Sequence, residues 1–196
     1  SSHLMRRRDR VQDLLEADDW DLIVLDEAHH ARRKAPGSPQ EGGPNALLRL
    51  MRELRSRCQA LLLLTATPMQ IHPIEVWDLL NLLGLPPRWS ASESDFLRYF
   101  ETARGNPSHD DMRFLCEMFQ DTELCFGPVD EKELEKAVPE LGLLGRQKVL
   151  KALRDKSGIP LKRLETNTRQ GALRVLRRFS PIRFLMARHT RELLRS

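Results

Sequence analysis

The chain has 196 residues, 40% hydrophobic and 31% charged, with a net charge of +4. That length supports one good core, or one core with a helical annex. No apolar run approaches the roughly 20 residues of a membrane-spanning helix and no signal-peptide pattern is present, so no membrane partner is expected. Cys58, Cys116 and Cys125 are odd in number and lack metal-ligand or disulfide spacing. They read as reduced core thiols of a cytoplasmic protein.

Residues 1–5, Ser-Ser-His-Leu-Met, read as an expression-vector scar. A helix is expected from Arg6 to Ala17, with arginines at its start opposing the helix dipole. Next comes Leu22-Ile23-Val24-Leu25, an unbroken apolar run that suits a strand buried on both faces of a parallel sheet. It runs into Asp26-Glu27-Ala28-His29-His30. Carboxylates at the carboxyl edge of such a sheet lie where ligands bind and call for a cationic partner, most commonly a Mg²⁺–nucleotide. Ala31 to Gly43 reads as a mobile or ligand-ordered loop, rich in Gly and Pro. Asn45 is a possible cap for a helix carrying Leu47, Leu50, Met51 and Leu54 at helical spacing. A second buried run, Ala60 to Leu64, ends in Thr65-Ala66-Thr67-Pro68-Met69-Gln70. Strand, helix, strand implies a right-handed parallel crossover, with Asp26, Glu27, Thr65 and Thr67 as spatial neighbours.

Pro73 opens the next helix and Gly84 stops it, with Ile74, Trp77, Leu80 and Leu83 or close neighbours as its apolar face. Trp77 reads as core. Pro86-Pro87 marks a boundary, and everything beyond reads as helical. A capping signature begins at Ser92 and another cap falls at Ser108. Helices are expected near Glu131 to Val138, Arg146 to Lys156, Gln170 to Phe179 and Ile182 to Arg195, with Gly158-Ile159-Pro160 as a breaker.

Charge is unevenly spread. Residues 1–88 carry 12 basic and 12 acidic side chains, residues 89–145 carry 5 and 13, and residues 146–196 carry 15 and 3. Such asymmetry suggests a surface on the C-terminal part that faces a polyanion. The plainer reading is two solvated faces that partly neutralise each other.

Asp26-Glu27-Ala28-His29 resembles the DEAH form of the Walker B box of superfamily-two helicases, and Thr65-Ala66-Thr67-Pro68 resembles their motif III. The continuation through Trp77-Asp78-Leu79-Leu80 is similar to the Swi/Snf-type ATPases, in a bacterial style. Phe184 to Leu194 resembles the basic element that precedes the second motor lobe. The fold class implied is α/β: the C-terminal part of a RecA-like P-loop NTPase lobe over residues 6–88, then an all-α insertion over 89–196. By resemblance, Asp26 holds Mg²⁺ through water and Glu27 positions or deprotonates the nucleophilic water, with ATP as the nucleotide. His29, Thr65 and Thr67 couple hydrolysis to the grip on nucleic acid, and Gln70 is a polar contact to DNA or the opposite lobe. Arg188 and Arg191 are candidate nucleic-acid contacts. His30 has no assigned role.

No G-x-x-x-x-G-K-[ST] occurs, nor any Gly-Lys pair. Without that phosphate cradle the carboxylates have no nucleotide to act on. The chain is therefore expected to be an inactive piece of an ATP-driven double-stranded-DNA translocase. Its partners would be DNA, the P-loop segment and the second RecA-like lobe. The alternatives are a non-catalytic regulatory or scaffolding module, or a piece of an RNA helicase or restriction motor.

Overall fold

The computed structural model describes residues 8–36, 38, 42–65 and 72–187. The chain divides between Leu85 and Pro86 into two compact units. The first is α/β. After α1 (Arg8–Glu16) comes β1 (Trp20–Leu25), a short 3₁₀ turn (Ala28–His30), and the small strands β2 (Arg33–Lys34) and β3 (Gly42–Pro44). Then follow α2 (Ala46–Arg55), β4 (Cys58–Leu63) and α3 (Pro73–Leu83). β1 and β4 pair in parallel, with Leu22 opposite Ala60 and Leu25 opposite Leu63. The connection between them carries α2, as the apolar period required.

The side chains of Ile23, Leu25, Leu61 and Leu63 pack on a core with Leu48, Met51 and Leu54 of α2 and with Leu79 and Leu82 of α3. The opposite sheet face is bare among the described residues: Leu22 is 52% and Val24 50% exposed, and Leu62 and Leu64 are also exposed. The expectation of strands buried on both faces is corrected. An apolar run reports a preference for burial, whereas burial itself needs an element lying over each face. The loop from Ala31 to Gly43 is also corrected in part. Lys34 pairs with Gly42 and Arg33 with Pro44 in an antiparallel ladder, so the described ends of this segment form a two-stranded flap.

α2 begins where Asn45 accepts a hydrogen bond from Leu48 N at 2.9 Å. α3 begins with a capping box: His72 Nδ1 accepts from Ile74 N, and Glu75 accepts from His72 N. Pro73 sits in its first turn, and Gly84, at φ 96°, ends it in the left-handed conformation. Its buried residues are Ile74, Glu75, Asp78, Leu79, Leu80 and Leu82. Trp77 is half-buried and stands under the Arg33 guanidinium, 5.5 Å from its ring centroid, which corrects its assignment to the core.

The second unit has no strand among the described residues. It comprises α4 (Pro87–Ala91), α5 (Glu93–Arg104), α6 (His109–Phe126), α7 (Glu131–Ala137), α8 (Leu143–Leu153), α9 (Ile159–Arg163), α10 (Thr166–Arg178) and α11 (Ile182–Leu185). Trp89 is its largest buried side chain and donates from Nε1 to Met118 O at 3.1 Å. Tyr99, fully buried, donates to Leu176 O at 2.8 Å and so fastens α5 to α10. Burial pushes the Tyr99 phenol well above its ordinary range, so it remains a donor. Ser108 and Asp111 cap α6 reciprocally. Ser92 caps α5 through its own hydroxyl alone.

Several helix boundaries differ from the sequence expectation: α8 is shifted to Leu143–Leu153, and α10 begins at Thr166. Gly158-Ile159-Pro160 starts a helix, α9, because Pro160 falls in its first turn. The helix expected from Ile182 to Arg195 stops at Leu185, and Met186 is extended. This last turn is held by Phe184 stacked on Phe126, centroids 4.7 Å apart, and by the Arg183–Glu133 ion pair.

Gly158 lies at φ 69°, and a Cβ there would stand 2.6 Å from Arg113 N on the α6 backbone. Gly158→Ala should destabilise the protein by roughly 1–3 kcal/mol, the cost of overpacking beside a rigid backbone. Gly43→Ala, where a Cβ meets nothing within 4 Å and the backbone is not left-handed, is the control and should leave the urea midpoint nearly unchanged. The thiols should also separate by reactivity. Cys116 is buried, donates to Ala152 O and is pushed up to about 12 by desolvation, followed by Asp155 and Glu117. Cys125 is exposed. A disulfide reagent at pH 8 should titrate Cys125 within minutes and reach Cys116 only after denaturant is added.

Candidate functional site

The site grows from the ends of β1 and β4. Past the strands the main chains remain hydrogen-bonded: Leu64 N donates to Leu25 O at 2.9 Å, and Ala28 N donates to Leu64 O at 2.8 Å. The second bond reaches across Asp26 and Glu27, so these two residues form a tight turn at the carboxyl edge. Ala28, small and fully buried, anchors the turn in the core. Glu27 takes φ 51° and ψ 48°, a left-handed conformation that costs a residue with a Cβ roughly 1–2 kcal/mol. Asp26 Oδ1 accepts from Glu27 N at 2.9 Å, and both carboxylates are exposed at the edge.

His29 joins the two loops. Its Nδ1 lies 3.2 Å from Glu27 Oε2 and 3.2 Å from Thr65 Oγ1. With the proton on Nδ1, the imidazole donates to the carboxylate and the Thr65 hydroxyl shares the same ring nitrogen. A shift of Glu27 toward a ligand would therefore change what Thr65 meets. The His30 ring lies 4.2 Å from that of His29, and the His30 carbonyl accepts from Asn45 Nδ2 at 2.6 Å. Asn45 thus caps α2 and ties the 3₁₀ turn to it at once.

A buried carboxylate supports the segment after the turn. Asp78 has no exposed surface. Arg33 grips it in a fork, Nε to Oδ2 at 2.7 Å and Nη2 to Oδ1 at 3.0 Å. Arg52 of α2 adds Nη2 to Oδ1 at 2.8 Å. Three elements therefore meet at one side chain: the flap after the turn, α2 and α3.

Of the sequence candidates, the structure brings together Asp26, Glu27, His29 and Thr65. Thr67, Gln70, Arg188 and Arg191 lie outside the described residues. No group of three or more His, Cys, Asp or Glu side chains among the described residues could enclose a metal ion. A Mg²⁺ held outer-sphere by one carboxylate and otherwise by phosphates and water does not need such a cage. The exposed Asp26 carboxylate fits that role. The sequence reading missed Arg33, Arg52 and Asp78 as a unit. One signal was present: Ile74, Asp78 and Leu82 recur at i, i+4, i+8, so a charged residue stood on the buried stripe of α3.

The parallel crossover followed by a helical part is consistent with a fragment of a RecA-like lobe plus a helical part. Comparison with known families places the chain among the helicase-like ATPases. The SNF2-related domain matches residues 3–139, and the chain belongs to that family. It is 29% identical over 167 residues to the RNA polymerase-associated protein RapA of Actinobacillus pleuropneumoniae serotype 5b (strain L20). The same identity holds for RapA of serotype 7 (strain AP76). The alignment covers 79% of this chain and 16% of each relative, so the chain spans well under a fifth of their length. Among the described residues no helix is long and apolar enough to cross a membrane.

The Asp78 cluster yields a stability prediction. Asp78→Ala leaves two guanidinium groups without their buried partner and should cost roughly 3–5 kcal/mol in urea denaturation. Arg52 is 45% exposed, so Arg52→Ala should cost about 1 kcal/mol or less.

Proposed function

We propose that this chain is part of an ATP-driven translocase of double-stranded DNA. Residues 6–88 would supply the latter portion of the first motor lobe, and 89–196 the helical insertion before the second. The observation that carries the reading is the Glu27–His29–Thr65 contact, which spans the two strand ends where catalysis and coupling must meet. Asp26 would hold Mg²⁺ through water, and the ion would offset charge on the β- and γ-phosphates of ATP.

Glu27 would orient the attacking water and accept its proton. The strained backbone at Glu27 supports this role, because such strain clusters at active sites. His29 would keep the Glu27 carboxylate aimed in the absence of nucleotide and pass its movement to Thr65. Thr67 and Gln70 would extend that coupling toward DNA, and Arg188 and Arg191 would touch the nucleic acid. The phosphate-binding loop and the second lobe would complete the motor, and the bare face of Leu22, Val24, Leu62 and Leu64 would pack on the remainder of the first lobe.

Two measurements test this. The 196-residue chain should show no ATP turnover above background, and calorimetry that found micromolar ATP affinity would contradict the assignment. In a protein extended to carry the phosphate-binding loop, Glu27→Gln should lower turnover by roughly 100-fold or more while ATP still binds, since the amide keeps shape but not basicity. Undiminished turnover would leave the carboxylate without a catalytic role and favour a scaffolding module.

A further inference from the structure

A cavity of about 340 Å³ opens on the helical unit where the ends of α5 and α10 meet α11. Its cations are Arg104, Arg177, Arg178 and Arg183. Phe100 and Ile182 contribute apolar wall, and Ser180 a residue with a hydroxyl. Arg183 is engaged by Glu133 and lies over the Phe179 ring, 4.8 Å from its centroid. Arg104, Arg177 and Arg178 form no ion pair with any described residue, and all three are exposed. No carboxylate lines the cavity.

Basic residues at the ends of α5 and α10 complement the helix dipoles. That effect accounts for cations at each helix end, splayed separately into solvent. It does not account for two helix ends and a third element converging on one concavity, where like charges repel. The convergence is built into the fold. Arg104 and Arg177 are far apart in sequence, and the buried Tyr99–Leu176 hydrogen bond draws α5 against α10 one residue before Arg177. Every cation present is arginine, whose planar fork matches two oxygens of a phosphate. A volume of this size accepts a phosphate with its attached sugar, the apolar wall facing the sugar.

We infer that this arginine-lined cavity is a docking site for a backbone phosphate of duplex DNA, outside the strand-end site of the first unit. The inference rests on the DNA-translocase reading and gives the excess of basic residues in 146–196 a specific place. The site should recognise phosphate without base preference, because it presents no edge-reading geometry.

The test uses the whole 196-residue chain and fluorescence anisotropy with a labelled duplex of about 20 base pairs, a length ample for one phosphate contact. Wild type should bind weakly at low salt, with log affinity falling by about 0.9 per decade of salt for each phosphate neutralised. Arg104→Gln with Arg177→Gln and Arg178→Gln should weaken binding at least tenfold and flatten the salt slope. Lys148→Gln with Lys151→Gln and Lys156→Gln removes the same charge outside the cavity and should change affinity less than threefold. Arg104→Gln alone is the milder variant, and circular dichroism melts verify that each is folded.

Equal losses in both triple variants would mean diffuse charge and overturn the proposal. So would displacement of the duplex by polyglutamate at equal charge concentration, which would mark an acidic-protein surface. If wild type binds and the cavity variant binds equally well, the cavity assignment fails while the DNA reading stands. If wild type does not bind at all, the cavity assignment fails, and the ATPase test of Glu27 still decides the motor reading independently.

Discussion

Two main-chain hydrogen bonds, Leu64 N to Leu25 O and Ala28 N to Leu64 O, carry the β1–β4 pairing beyond the strands. The rest of the strand-end site depends on them. Without the second, Asp26 and Glu27 would lie on a free loop. With it, they occupy a closed turn whose geometry puts Glu27 in a left-handed conformation. The cost of that conformation is met because Ala28 is locked in the core on one side and the 3₁₀ turn follows on the other. A parallel pair makes this arrangement natural, since both strands end at the same edge and their following loops are neighbours.

The second constraint is electrostatic. A fully buried carboxylate is costly unless it is paired and hydrogen-bonded. Asp78 meets that requirement with three charge-assisted hydrogen bonds from two arginines. Because Arg33 follows the turn and Asp78 sits on the helix after Thr65, the pair links the chain beyond one strand end to the chain beyond the other. His29 makes the same connection at the surface, through Glu27 and Thr65. The half-buried imidazole contact and the buried ion cluster thus join the same two stretches of chain.

The helical unit follows a different logic. Its core is aromatic, with Trp89 in contact with Phe96, Tyr99 and Phe100, their centroids 4.4–6.2 Å away. Two polar atoms taken into that core find partners on another helix: Trp89 Nε1 on Met118 and Tyr99 on Leu176. Such bonds fix which helices meet, and so determine which surface arginines come together.

Local pattern by itself determined a good deal here. The apolar run into Asp26-Glu27, the helical period of Leu47 to Leu54 and the second run into Thr65 were enough for a parallel crossover, because period and chain connectivity permit few other arrangements. The caps at Asn45, Ser92 and Ser108 and the stop at Gly84 were legible for the same reason: they are decided within four residues. What required tertiary structure depended on partners distant in the chain. Trp77 leaves the core because Arg33 occupies its ring. Asp78 enters it because two arginines are waiting there. The outer face of β1 and β4 is bare because no described element lies over it, something an apolar run cannot report. The turn at Ile182 is held in place by Phe184 stacking on Phe126, a partner far away in the chain. Sequence specifies what each side chain can satisfy, and only the assembled fold decides which distant group satisfies it.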